Sequence, residues 1–166
     1  MVDVSPELLF QIASEDTVAT MGIEICEDLW TAIPPSSFHA LSGAQLIVNL
    51  SASNDVIGKH RYRKQLVSQQ SSKAICGYIY VSAGYGESTQ DVVFSGSAII
   101  AENGTILSDG KRFQMESSLT IADIDIQNLE TFRENSNTFV PVKRQKAQDE
   151  RFNRSELTIA PVPAAN

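Results

Sequence analysis

An α/β fold with a mixed sheet follows from three features of the sequence. Short apolar runs of strand length alternate with two helical stretches as far as residue 81. After residue 90 the strand-like runs follow one another across tight turns, which calls for antiparallel neighbours. No apolar stretch approaches the ~20 residues of a membrane-spanning helix.

The elements are justified in order. Residues 17–25 read as a strand, with Ala19, Met21, Ile23 and Ile25 on one face. Pro34-Pro35-Ser36 suits a helix start, and Phe38, Ala40, Leu41 and Ala44 give a short helix closed near Gly43. The run 46–50 has strand length and is apolar enough for a central position, covered on both sides. Residues 59–75 read as a helix, basic in its first turns, with Tyr62, Leu66 and Ala74 on one face and Gly77 ending it. Residues 78–81, 92–100, 105–107 and 119–126 continue as strands, with turns at Asn103-Gly104 and Asp109-Gly110. The apolar phase slips between Ile121 and Ile124, which predicts a bulge or a sheet exit there.

The chain has 166 residues, a length for one domain. The composition shifts after Asn135, where charged residues crowd a stretch with few apolar ones and the chain ends in a Pro-Val-Pro run. The expected division is a body over 1–135 and a linker or tail over 136–166. Thirteen basic residues against twenty acidic ones leave a net charge of −7, which argues against a phosphate-backbone partner. No Lys or Arg precedes Lys59, so the basic start of a signal peptide is missing and a cytoplasmic location is expected, with no membrane partner. Cys26 and Cys76 form no CxxC pair, and His39 and His60 do not complete a zinc ligand set. The cysteines are expected to be free thiols.

Chemistry concentrates in Gly22-Ile-Glu-Ile-Cys-Glu-Asp-Leu-Trp30. Cys26 stands where a strand ends, and the carboxyl ends of strands in α/β sheets gather ligands and reacting groups. Two readings fit it. One is a nucleophile that attacks a carbonyl carbon, given a base and donors for the oxyanion. The other is a buried thiol used as a small apolar residue. The acids Glu24 and Glu27 would oppose a thiolate, so a nearby cation is needed, and Lys59 is one in reach of sequence. Ser53 has both a turn-capping and a site reading, and Glu27 both a capping and a site reading. Trp30 is expected at the wall of the site and Tyr85, Glu87 and Ser88 at its rim, whereas Cys76 beside a helix end is expected to be buried and inert.

Several separated motifs stand in one order: Gly22 to Trp30, Pro34-Pro35-Ser36, Asn49-Leu-Ser-Ala-Ser53 with Gly58-Lys59, Tyr62-Arg63, Gly84-Tyr-Gly-Glu-Ser-Thr89 and Phe94-Ser-Gly96. Together they resemble the glutaminase domain of the glutamine-dependent NAD+ synthetase family, within the nitrilase (carbon–nitrogen hydrolase) superfamily. The resemblance covers residues 8–133. It implies part of an αββα sandwich, a mixed sheet with helices packed on one face. It also implies a Glu-Lys-Cys triad in which Cys26 matches the nucleophile, with Glu27, Ser53 and Lys59 at positions that touch or hold glutamine. ATP and magnesium are implied only for the separate synthetase part, and no cofactor for this chain.

In that family the catalytic Glu and Lys both lie well upstream of the cysteine, and only 25 residues precede Cys26 here, with no counterpart of either motif. The expectation is therefore the C-terminal portion of a glutaminase domain, a very poor glutaminase alone. A sandwich lacking one half is expected to expose apolar surface and to self-associate or take a partner chain. Two other readings stay open: a nitrilase-type amidase for a different amide, and a non-catalytic binding or assembly fragment.

Overall fold

The computed structural model describes residues 5–13 and 17–140. Among the described residues the strands form a six-stranded sheet in which each strand lies beside its neighbours in sequence. The strands are β1 (Leu9–Ala13), β2 (Val18–Ile25), β3 (Leu46–Ser51), β4 (Gly77–Ser82), β5 (Ala98–Glu102) and β6 (Thr105–Asp109). The helices are α1 (Pro35–Leu41), α2 (Lys59–Ala74) and α3 (Ile126–Asn135). β2, β3 and β4 run parallel through the crossovers that α1 and α2 supply, and the outer pairs are antiparallel. The mixed α/β sheet is the one expected.

The period of two along each strand divides the sheet into unlike faces. On one face Gly22 aligns with Ile47 and Tyr78, and Glu24 with Asn49 and Tyr80; Ile99 and Ala101 of β5 extend these rows. Ile47, Tyr78, Tyr80, Ile99 and Ala101 are fully buried there. Helix α1 packs on β2 and β3, and α2 on β4, β5 and β6. Each buried Ile or Leu of this layer stabilises the fold by about 1.5–3 kcal/mol relative to exposure. On the opposite face Ile25, Leu50 and Val81 are register neighbours and remain exposed.

The structure corrects several of these expectations. β1 was not anticipated; its five residues lack a clear period, and they are specified by pairing with β2, Leu9 opposite Gly22. The strand expected over 92–100 begins only at Ala98: Gly96 takes a left-handed backbone (φ 65°), backbone bonds to Ser82 and Ala83 carry on to it, and 92–97 is loop. The strand expected over 119–126 does not form. Its residues alternate between partly covered and exposed, and Ile124 lies against the sheet at Gly77, where a Cβ would sit 2.8 Å from the Ile124 side chain. The segment lies over the sheet without joining its ladder, and α3 follows.

Gly77 does not end α2. Ile75 caps that helix in a left-handed conformation (φ 46°), with its N–H bonded to the end of the helix, and Gly77 opens β4. α3 sits below the amino ends of β3 and β4, where buried Arg133 donates to the carbonyls of Ala44 (2.6 Å), Ile75 (2.9 Å) and Ala74 (3.1 Å). Phe139 is buried in the core; residues 141–166, most of the tail expected over 136–166, lie outside the described residues.

Candidate active site

Cys26 follows the last residue of β2 and opens a single 3-10 turn, Cys26–Trp30. Its backbone is left-handed (φ 49°), a region costly for a residue with a Cβ and found where surrounding structure enforces it. The enforcement is visible. The Ile25 N–H donates to Asp28 Oδ2 at 2.7 Å, and the Thr31 hydroxyl donates to the Asp28 carbonyl at 2.8 Å. Asn49 on the adjacent β3 donates to the Cys26 carbonyl at 3.4 Å. The result turns the chain sharply at the carboxyl edge of the parallel strands and leaves the thiol partly exposed.

That turn forms one wall of a cavity of about 610 Å³. Cys26, Glu27, Ser53 and Lys59, the four residues singled out from the sequence, all line it, and Trp30 stands at its wall as expected. Ser53 is buried in the loop after β3, where its N–H donates to Ser82 Oγ at 3.2 Å. Lys59 opens α2, and its ammonium donates to Asn54 Oδ1 at 2.6 Å while standing 5.5 Å from the centre of the Trp30 ring. Trp30 in turn meets Tyr62 with ring centres 5.4 Å apart. An ammonium held by one neutral oxygen and an aromatic face keeps donors for an anionic group. Among the described residues lining the cavity, the ionisable side chains are Cys26, Glu27 and Lys59.

Val92, Phe94, Thr31, Ala52 and Asn54 complete the lining. Sequence reasoning missed these. Asn54 could have been found from its place beside Ser53 and five residues before Lys59. Val92 and Phe94 were hidden by being read as strand. Tyr85 and Glu87 instead line a separate groove with Lys111 and Gln114, so they do not form the rim. Ser88 acts indirectly, its hydroxyl accepting from the Phe94 N–H at 3.1 Å.

Glu24 turns away from the cavity into the helix-covered face. It is buried, and its carboxylate accepts from the Tyr78 hydroxyl, from the Ser36 N–H at 2.8 Å and from Asn49 at 3.4 Å. Burial, followed by the Glu24 charge, pushes the Tyr78 phenol above its ordinary range. Cys76 is fully buried, and burial pushes its thiol up to about 12, so it is inert as expected. Among the described residues no cluster of His, Cys, Asp and Glu could hold a metal, and no helix is long and apolar enough to cross a membrane.

A strand ending in a constrained cysteine above a cavity is a chemistry shared by several folds, and comparison decides between them. The Carbon-nitrogen hydrolase family matches residues 7–134. The chain belongs to that family. This hydrolase chain is 37% identical to the glutamine-dependent NAD(+) synthetase of Mycobacterium leprae (strain TN) over 163 residues, 97% of this chain and 24% of that protein. The chain thus spans about a quarter of the length of such relatives. A solved glutamine-dependent NAD(+) synthetase from Cytophaga hutchinsonii superposes with a TM-score of 0.54 at 29% identity, covering 67% of this chain and 17% of that one. A carbon-nitrogen hydrolase from Helicobacter pylori G27 shares the fold, with a TM-score of 0.61 over 81% of this chain and 50% of that one at 16% identity. The nitrilase-like layer expected from the motifs is therefore present.

Proposed function

We propose that this hydrolase chain carries the nucleophile and part of the substrate pocket of a glutaminase that releases ammonia for ATP-dependent NAD+ synthesis. The observation that supports it most directly is the shared cavity: a constrained, partly exposed Cys26 lines it together with Ser53 and Lys59. Relatives named for glutamine dependence and NAD+ synthesis supply the substrate.

In this reading the Cys26 Sγ attacks the side-chain amide carbon of glutamine. The amide nitrogen takes a proton and leaves as ammonia, giving a γ-glutamyl thioester. Water then cleaves the thioester to glutamate and restores the thiol. Lys59 pairs with the substrate α-carboxylate, Ser53 offers polar contact from the loop, and Glu27 meets the amino or amide end. The general base and oxyanion partner that the family takes from a Glu and a Lys upstream of the cysteine are not among the cavity residues described. Each of those two groups is worth about 10²–10⁴ in rate where it acts. ATP and magnesium act only in the synthetase part, and this chain binds no cofactor itself. Residues 1–135 form the hydrolase portion and 136–166 lead toward the synthetase. The chain works in the cytoplasm, and its bare sheet face is covered by self-association or by a partner chain.

The test is alkylation of Cys26 by iodoacetamide with glutamine present. Glutamine is expected to protect Cys26 in a saturable way, and any ammonia released is expected to vanish in Cys26→Ala. Protection by a different amide but not by glutamine would replace the substrate with that amide. No protection by any amide would overturn the reading.

A further inference from the structure

The loop that carries Ser53, Asn54 and Lys59 to the cavity is anchored at a carboxylate outside it, besides the Ser53–Ser82 bond. Asp55 is nearly buried, its side chain 6% exposed. Its Oδ2 accepts from Arg112 Nη1 at 3.1 Å and lies 3.9 Å from Nη1 of Arg63, which is fully buried in α2 with its guanidinium over the Tyr80 ring. The Asp55 N–H also donates to the Val93 carbonyl at 2.7 Å. Val93 lies between Val92 and Phe94, both of which line the cavity. One residue therefore joins four segments: the β3–α2 loop, α2, the 92–97 loop and the chain after β6.

We infer that Asp55 is a positioning residue: clamped by Arg112 and Arg63 and bonded to Val93, it holds Asn54 and Lys59 beside Val92 and Phe94 and so fixes the shape of the cavity. The path to the ligand is short. Asp55 holds Asn54, Asn54 Oδ1 holds the Lys59 ammonium, and the ammonium stands over Trp30. Burial alone would raise the Asp55 carboxyl, but the Ser95 hydroxyl and the two guanidiniums outweigh it and hold it below the usual carboxylate range, so the anchor is charged at neutral pH. The ligand side of this inference rests on the glutamine reading above; the geometry does not.

The chain has one tryptophan, Trp30, which reports on Lys59 directly. In Asp55→Ala and Arg112→Ala, Trp30 emission and its quenching by acrylamide are expected to move toward the values of Lys59→Gln. Arg112→Lys, which keeps the cation, is expected to match the parent protein. With glutamine, the half-protecting concentration for Cys26 is expected to rise about tenfold in the two alanine variants, while the alkylation rate without glutamine changes little. Circular dichroism establishes that each variant is folded, and partly exposed Arg112 carries the test if Asp55→Ala is not. Emission and quenching unchanged in the folded variants would overturn the inference, whether or not glutamine protects. Absent protection in the parent protein with shifted emission in the variants would sink the glutamine reading and leave the positioning role supported.

Discussion

Single side chains in this protein hold charge in buried or half-buried places, and their protonation sets when the fold weakens. Burial raises the Asp109 carboxyl, but Lys64, bonded at 2.8 Å, and His60 outweigh it, leaving its pKa lowered as for Asp55. A depressed carboxyl contributes stability that is present above its unfolded pKa and lost as pH falls through the folded one, so this loss falls below about pH 4. His60 moves the other way in its consequence: burial, then the Arg112 charge, lowers its pKa despite Asp109. The unfolded chain then takes up the proton first, and stability declines as pH drops past the unfolded histidine value of about 6.5. Urea denaturation followed from pH 7 to pH 3 is expected to weaken in two stages. His60→Gln is expected to remove the upper one, and Asp55→Asn to shrink the lower one. A single stage centred near pH 6 in all three proteins would contradict this.

At the scale of elements, close approach decides which residue can stand where. β2 passes α1 at Gly22, where an added Cβ would lie 2.7 Å from His39 Nδ1. His39 is itself held, its Nε2 2.8 Å from the Pro6 carbonyl, so the ring cannot step aside freely. Gly22→Ala is expected to destabilise the fold by about 1–3 kcal/mol, read as a lower midpoint in thermal or urea unfolding. Gly86→Ala, with open space at its Cβ position, is the contrasting control. The same scale explains what the sequence disclosed. β2, β3, β4 and β6 were legible because each carries its own period or turn signal, whereas α2 was legible in extent but not in face, burying Arg63, Val67, Gln70, Ser71 and Ala74 and exposing Tyr62. β1 and α3 were not, since β1 depends on its pairing with β2 and α3 on the carbonyls that Arg133 reaches. The candidate site was legible at Cys26 and, through the motifs, at Glu27, Ser53 and Lys59. Val92, Phe94 and Asp55 escaped because their roles arise from loops meeting across the cavity.

The whole molecule is a one-sided layer. Helices cover one face of the sheet, while on the other Ile25, Leu50 and Val81 form an exposed row, beside a second row of Ile23, Val48 and Ile79 that is only partly covered. Contiguous apolar area of this kind is a surface for association. Sedimentation is expected to show a dimer or larger species, and Leu50→Lys to shift it toward monomer. A monodisperse parent protein of 18.1 kDa would refute the association proposed above.

Because adjacent strands in the sheet are also adjacent along the polypeptide, no pairing has to wait for a distant segment to arrive. A nascent chain leaving the ribosome can add each strand to the ladder as it emerges, with its crossover helix already in hand. The layer is thus a contiguous cassette, movable by one uninterrupted stretch of coding sequence.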